Sequence, residues 1–198
     1  MYFSSVSILS GVAALGLLVG IPVAQAAVLI NISESGTNVV ATGGGTINLA
    51  ALTAPNSGNT GPQVIGLGAF ITVGANGSNF TPYETITGPV NFGTIAQSFG
   101  ATGTGNLFGV WGNGGSIFVP LGYVSNAALA GTAQWNNQTL ATLGLTPGTY
   151  VYTWGSGTTA DSFTVQIRAN AIPEPGTLTL VALGGVCALA YRRRRVAR

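Results

Sequence analysis

The sequence contains no histidine, no lysine and a single cysteine, Cys187. Without histidine the chain lacks the side chain most often used for general acid–base catalysis at neutral pH. A Ser-His-Asp triad cannot be assembled for the same reason. One cysteine excludes an internal disulfide framework and, without histidine, a Cys/His metal cluster. We therefore expect no bound metal and no cofactor.

Charged side chains are also scarce, with six basic and four acidic residues among 198. Five of the six arginines lie within the last seven residues. The stretch 27–172 carries Glu34, Glu84 and Asp161 against Arg168, a formal charge of −2. Because this stretch has no basic patch that could neutralise phosphates, we expect no binding to nucleic acid.

The N-terminal segment is typical of a secretory signal peptide. An apolar stretch from Val6 to Val23 is followed by Ala24, Gln25 and Ala26, which places small residues at the two positions that signal peptidase inspects. We predict a signal helix within residues 1–26, export by the Sec machinery and cleavage by signal peptidase after Ala26. The alternative is a retained N-terminal membrane helix.

The C-terminal segment has three parts: Pro173, Glu174 and Pro175, an apolar run from Thr177 to Tyr191, and the cluster Arg192, Arg193, Arg194 and Arg195. Fifteen helical residues reach about 22 Å, less than the roughly 30 Å of a hydrocarbon core. A transmembrane helix of this length requires snorkelling arginines or a locally thinned bilayer. The positive-inside rule keeps the arginines cytoplasmic as the membrane stop, so the body lies outside the inner membrane. The alternative is a buried core helix with a basic tail.

This order of parts resembles the PEP-CTERM sorting signal of Gram-negative bacteria, and the resemblance covers residues 173–198. It implies that an exosortase, a membrane-embedded cysteine transpeptidase, processes the tail near Pro173, Glu174 and Pro175. It also implies a transient anchor in the inner membrane, followed by release from the cell surface or attachment there. Such proteins generally occur in species that make exopolysaccharide and a biofilm or floc matrix.

Residues 27–172 between the two ends predict an all-β body, a β-sandwich or jelly-roll-like fold. Gly, Asn, Thr and Ser dominate, and apolar residues alternate with polar ones. Short strands separated by glycine-rich turns favour two packed sheets. We predict strands at Val28–Ile32, Asn38–Thr42, Gly45–Leu52, Gln63–Val73, Val90–Ile95, Leu107–Trp111, Ser116–Val124, Thr149–Trp154 and Phe163–Arg168. One helix is predicted at Asn137–Leu143, with Leu140 and Leu143 facing inward.

Aromatic side chains beside amides are the best candidates for carbohydrate contact, because aromatic faces stack on sugar rings. Tyr150, Tyr152 and Trp154 share one side of a strand, which favours a place in the core. Trp135, beside Asn136 and Asn137, is predicted to be exposed and to contact carbohydrate. The favoured hypothesis is a secreted or surface-sorted, non-enzymatic protein of the extracellular matrix that associates with exopolysaccharide.

Two alternatives remain open at this point. A carbohydrate-active enzyme would need two of Glu34, Glu84 and Asp161 about 5–10 Å apart in an open cleft. For Asp161, which follows a glycine-rich loop, we favour a turn-stabilising role through hydrogen bonds with the backbone. A surface adhesin or self-assembling subunit would instead use exposed strand edges.

Overall fold

The structure, a computed structural model, describes residues 27–54, 56–97 and 99–169. This part of the chain is all-β, as predicted, and its strands form two sheets. The only helical element in these ranges is a three-residue 3-10 turn at Gly157–Thr159. The strands are β1 (Ala27–Ser35), β2 (Asn38–Gly45), β3 (Gly58–Thr60), β4 (Gln63–Ile65), β5 (Phe70–Val73), β6 (Ser78–Glu84), β7 (Phe99–Gly100), β8 (Phe108–Trp111), β9 (Ser116–Pro120), β10 (Leu129–Trp135), β11 (Gly148–Trp154) and β12 (Asp161–Arg168).

The first sheet, sheet A, has five strands in the order β10-β2-β1-β12-β11. Its central pairing, β1 with β12, is parallel and joins the first and last described strands, with Val28 opposite Phe163. The other pairings are antiparallel. Alternate residues of β1, β10 and β12 are buried, so one face of sheet A packs on the core and the other faces solvent.

The second sheet, sheet B, has seven short strands in the order β3-β6-β9-β8-β5-β4-β7. All of its pairings are antiparallel. Contacts near the two ends of β8 indicate that sheet B crosses sheet A at a large angle. At the start of β8, Phe108 lies over Gly43 of β2 and Gly131 of β10. Just beyond the end of β8, Gly112 lies against Tyr152 of β11, on the other side of sheet A. A strand that crosses its partner sheet from one side to the other is the mark of an orthogonal packing.

The core lies between the two sheets and is apolar. Its members are buried aliphatic and aromatic side chains from both sheets, including Ile30, Ile32, Ile71, Val73, Phe108, Val110, Ile117, Tyr152, Phe163 and Val165. Gly43 and Gly131 stand opposite each other in sheet A and leave room for the ring of Phe108. A Cβ at Gly43 would lie 2.8 Å from Cζ of Phe108 and 2.9 Å from Cγ1 of Ile30. The two glycines therefore allow the sheets to approach at this point.

The helix predicted at Asn137–Leu143 is wrong, because these residues form a series of turns. Thr139 and Thr142 bind each other's backbone N–H groups through their hydroxyls, which competes with helical hydrogen bonding. Asn137 also has a left-handed backbone, with φ of 53°. The expected inward placement of Leu140 and Leu143 is nevertheless confirmed, since both side chains are buried.

Four predicted strands also differ from the structure. The strand predicted at Ser116–Val124 extends only to Pro120, where β9 ends. The strand at Gly45–Leu52 is wrong beyond its first residue, where β2 ends. The segment Gln63–Val73 is divided into β4 and β5 by a turn. At Val90–Ile95 only Gly93 forms an isolated bridge, to Leu145. Phe92 is buried in the core, whereas Val90 is 54 % exposed, so the segment does not follow the alternation of a strand.

The sequence patterns do not reveal β3, β6, β7 and β10. β6 contains Pro82, which normally argues against a strand. The structure accommodates it because β3 pairs with β6 only as far as Phe80, so β6 needs no partner on that side at Pro82. β10 is rich in Ala and Gly, which have low strand propensity.

The predicted signal segment 1–26 and the predicted sorting tail 173–198 lie outside the described residues. Within the described ranges, no helix is long and apolar enough to cross a bilayer.

The contact between Phe108 and the glycine pair can be tested by adding one methyl group. Gly43→Ala should destabilise the body by about 1–3 kcal/mol, because a tightly packed core cannot accept the extra volume without displacing Phe108. Urea unfolding of wild type and variant measures the difference. Gly100→Ala is the matched control, because no atom lies within 4 Å of a Cβ at that position. Equal stability of the two variants would show that the sheets do not depend on this contact.

A second prediction concerns Tyr152, whose buried hydroxyl has no hydrogen-bond partner among the described residues. Tyr152→Phe removes that group and should raise the free energy of unfolding by about 1 kcal/mol at pH 7. Burial also raises the pKa of Tyr152. Its contribution to stability is therefore complete below the ordinary tyrosine pKa of about 10 and declines as the pH rises above it.

The variant should consequently lose less stability than wild type above about pH 10. Urea unfolding between neutral pH and pH 11 measures both effects. A loss of stability in Tyr152→Phe at neutral pH would contradict this account of the hydroxyl.

Candidate functional site

The predicted exposure of Trp135 is wrong. Trp135 is the last of the inward-facing residues of β10 and is 2 % exposed. Its Nε1 donates a hydrogen bond of 3.0 Å to the carbonyl oxygen of Phe99. Asn136 and Asn137 are exposed at the same end of sheet A. Gln134 Nε2 donates to Asn136 Oδ1 at 2.7 Å, and the backbone N–H of Asn137 donates to Asn38 Oδ1 at 3.0 Å. Carbohydrate contact through these two asparagines stays a prediction.

The core placement of the β11 aromatics is confirmed. Tyr152 and Trp154 are buried and Tyr150 is half-buried against them. Trp154 Nε1 donates to the carbonyl oxygen of Asn48 at 2.9 Å, and the hydroxyl of Tyr150 donates to the backbone carbonyl oxygen of Thr146 at 2.8 Å. Trp154 and Tyr150 thus hold loops at the two ends of sheet A, and the rings of Tyr152 and Trp154 are not accessible to a ligand.

A different set of aromatic residues lies on the outer face of sheet B. We call Phe70, Phe80, Trp111 and Phe118 the aromatic stripe. Its ring centroids follow one another at 5.0 Å from Phe80 to Phe118, 5.4 Å from Phe118 to Phe70 and 6.4 Å from Phe70 to Trp111. The first and last of these contacts are edge-to-face, a favourable arrangement for aromatic pairs. The stripe thus crosses strands β6, β9, β5 and β8 as one connected surface.

Strand register explains how these residues come together. Phe70 pairs with Trp111, and Phe118 lies between Gly109 and Pro82 on the two neighbouring strands. Their chain neighbours Ile71, Val110 and Ile117 point into the core. Because successive side chains of a strand point to opposite faces, the stripe must point outward. Phe118 is buried under the rings beside it although it lies outside the core between the sheets.

Trp111 is the most accessible member of the stripe. It is 42 % exposed, whereas the other two tryptophans, Trp135 and Trp154, are 2 % and 5 % exposed. Its ring lies against Gly114, where a Cβ would approach within 2.4 Å. The glycine therefore lets the indole lie close to the backbone and present its other surface to solvent.

One carboxylate shares a cross-strand row with Trp111. Ser116 pairs with Trp111 on one side and with Glu84 on the other. Two strand spacings place Glu84 about 10 Å from Trp111. Glu84 is exposed, and Tyr83 beside it packs on the core, so Glu84 points to the same face as the stripe. The arrangement combines aromatic faces with one hydrogen-bond acceptor, the chemistry that recognises a polyol ring.

The three candidate carboxylates are distributed over the fold. Glu34 lies near the end of β1 and Asp161 begins β12. Ala27 is opposite Ser162 in this parallel pair, so Glu34 and Asp161 are at opposite ends of sheet A. Seven residues of strand correspond to about 23 Å, which is too far for the paired carboxylates of a glycosidase. Glu84 lies on the other sheet.

Asp161 has the turn-stabilising role that its position predicts. Its Oδ1 accepts the backbone N–H of Ser162 at 2.7 Å, and its Oδ2 accepts that of Asn48 at 2.7 Å. The second bond ties the loop after β2 to the start of β12, across 113 residues of sequence. Burial raises the pKa of Asp161, and the two backbone donors partly offset this effect.

The edges of sheet A are partly covered by loops. Residues 102–106 add backbone hydrogen bonds along β10, for example from Thr132 N to Thr104 O at 2.9 Å. Thr87 forms a two-bond bridge with Thr153 of β11. The adhesin alternative needs long free edges, and these described contacts remove part of both.

Sequence reasoning missed the phenylalanines of the stripe. β5, β8 and β9 are apolar on both faces, so no alternation marks one face as exposed. The available signal was that consecutive antiparallel strands without covering helices leave one face in solvent. Large aromatics on both faces of such strands then indicate a surface patch.

The role of Asp161 can be tested by its pH dependence. A raised pKa stabilises the protonated carboxyl in the fold, so this contribution is complete below the ordinary value of about 3.9 and is lost as the pH rises through the folded pKa. Wild-type stability to urea should therefore decline from about pH 4 upward. Asp161→Asn should abolish this slope. A slope that Asp161→Asn leaves unchanged would assign the effect to another group.

Comparison with known proteins locates a sorting signal in the tail. Residues 171–195 match the family model described as the PEP-CTERM protein-sorting motif. The matched range contains the Pro173–Pro175 triplet, the apolar run and Arg192–Arg195, so the resemblance found in the sequence is confirmed. No curated protein and no solved structure shows significant similarity to the chain. The tail of the chain therefore carries a PEP-CTERM protein-sorting motif.

Proposed function

We propose that this protein is exported, sorted by exosortase and retained in the extracellular matrix as a non-enzymatic exopolysaccharide-binding protein. Sec export and signal peptidase remove residues 1–26 after Ala26. The apolar run then holds the chain in the inner membrane of a Gram-negative cell, with Arg192–Arg195 as the cytoplasmic stop. Exosortase recognises Pro173, Glu174 and Pro175 and passes the body to the surface. The sorting-motif match supports this route.

The observation that carries the binding proposal is the exposed indole of Trp111 at the end of the aromatic stripe. An aromatic face covers the C–H side of a pyranose without needing charge, which suits a body that has only four charged residues. Because several rings follow in line, the surface favours a chain of sugars over a single sugar. Glu84 supplies an acceptor for sugar hydroxyls at the border of the stripe.

A non-enzymatic role agrees with the placement of the carboxylates. Asp161 is engaged with two backbone N–H groups, and Glu34 Oε1 accepts the N–H of Leu140 at 2.8 Å. Both therefore have structural partners and lie at opposite ends of sheet A. Asn136 and Asn137, at the end of sheet A, offer a second polar contact for carbohydrate.

Trp111→Ala tests the proposal directly. The variant body (residues 27–172) should lose at least about tenfold in affinity for the host's exopolysaccharide, because loss of one aromatic contact costs about 1.5 kcal/mol or more and 1.4 kcal/mol is a factor of ten. Retention on immobilised polysaccharide at low salt is the measurement. Val151→Ala is the matched control, since Val151 is similarly exposed, at 45 %, on the outer face of sheet A.

Two results would contradict the proposal in different ways. If wild type is not retained, the body does not bind this polysaccharide. If wild type and Trp111→Ala are retained equally, binding takes place away from the aromatic stripe. Tryptophan fluorescence gives an independent reading, because two of the three tryptophans are buried: added polysaccharide should shield Trp111 from a soluble quencher.

A further inference from the structure

The chain leaves the body from the interior of sheet A. β12 lies between β1 and β11 and ends at Arg168, and the last described residue is Ala169. Arg168 is opposite Ser33, and Ile167 is opposite Gly148. The exit is therefore flanked by the β1–β2 turn on one side and by the loop that precedes β11 on the other.

We call this end of the sandwich the exit end and define it as residues 35–37, 136–148 and Arg168. Trp135 closes β10 here, and the backbone N–H of Asn137 donates to Asn38 Oδ1, which joins the loop after β10 to the β1–β2 turn. Glu34 fixes the same loop through Leu140 N. Most of its side chains are exposed, and Arg168 is the only charged residue within these ranges, with Glu34 next to them on β1. The exit end is thus a nearly uncharged surface whose two loops are tied together.

The tether between this surface and the sorting motif is very short. Ala169 is separated from Pro173 by four peptide steps, which span at most about 14 Å whatever their conformation. The opposite end of sheet A, where β12 begins at Asp161, lies seven strand residues farther away, or about 23 Å. An enzyme that holds Pro173–Pro175 must therefore have the exit end beside it and cannot have the opposite end there.

We infer that the exit end is the surface of the body that contacts exosortase during processing, so that the sandwich docks end-on against the enzyme at the membrane. This inference rests on the exosortase sorting in the proposed function. The nearly uncharged loops suit such a contact, because few charged groups must lose water when the surfaces meet. The aromatic stripe lies on the outer face of sheet B, a side of the sandwich, and stays accessible to polysaccharide in this orientation.

Site-specific photocrosslinking of the full-length chain in the native host tests the inference. Thr37→p-benzoylphenylalanine and Thr146→p-benzoylphenylalanine place the probe on the two exposed loops of the exit end. Val124→p-benzoylphenylalanine is the control, because Val124 is 71 % exposed in the loop before β10, at the opposite end of sheet A. Probes at 37 and 146 should form crosslinks to exosortase several-fold more strongly than the probe at 124.

A longer tether between the body and the sorting motif provides a second test of the inference. Insertion of about twelve Gly/Ser residues after Ala169 adds roughly 19 Å of mean reach and should reduce the crosslinks at 37 and 146 while the tail is still processed. Equal crosslinking at all three positions, or none at 37 and 146 while the tail is processed, would overturn end-on docking and leave sorting intact. A tail that exosortase does not process at all would instead refute the sorting route itself and, with it, this inference.

Discussion

The fold depends on the apolar contact between two crossing sheets. The described part of the chain has only Glu34, Glu84, Asp161 and Arg168 as charged residues and no cysteine, so neither ion-pair networks nor disulfides can hold it. Phe108 reaches sheet A over the glycine pair and approaches Phe163 with ring centroids 6.5 Å apart. Around it, burial of aliphatic side chains supplies the main favourable free energy. Hydrogen bonds such as those of Asp161 and Trp154 then fix the loops on this frame.

The same contact decides which aromatics can reach a ligand. Trp135, Tyr152 and Trp154 of sheet A are buried in the core, and the outer face of sheet A carries mainly polar residues. Sheet B has no layer on its outer side among the described residues, so Trp111 and its phenylalanine neighbours lie at the surface. A body with little charge can associate with a neutral polymer through such a surface without strong salt dependence. The sorting motif in the tail supports exosortase-dependent sorting of this body.

Much of the fold could be predicted from period-two patterns. β1, β2, β11 and β12 alternate clearly, and their strands were identified. β6 could not be predicted, because Pro82 is tolerated only where β6 lacks a neighbouring strand on one side. The loop at 137–143 could not be predicted either, because the hydrogen bonds between Thr139 and Thr142 replace those of a helix. The candidate site was misplaced for a related reason. Exposure of Trp111 and burial of Trp135 depend on which side of each strand meets the other sheet, and that is a property of long-range pairing.

We propose that residues 27–172 are the exported body of the protein; both described sheets and the described core lie within residues 27–169. The tail carries the sorting signal, and the N-terminus carries the export signal that we propose. Mass spectrometry of the protein isolated from the surface fraction of its host tests this claim most directly. The account predicts a chain that begins at Ala27 and lacks Arg192–Arg198. An intact 198-residue chain in the cytosol, with no processed form at the surface, would contradict it.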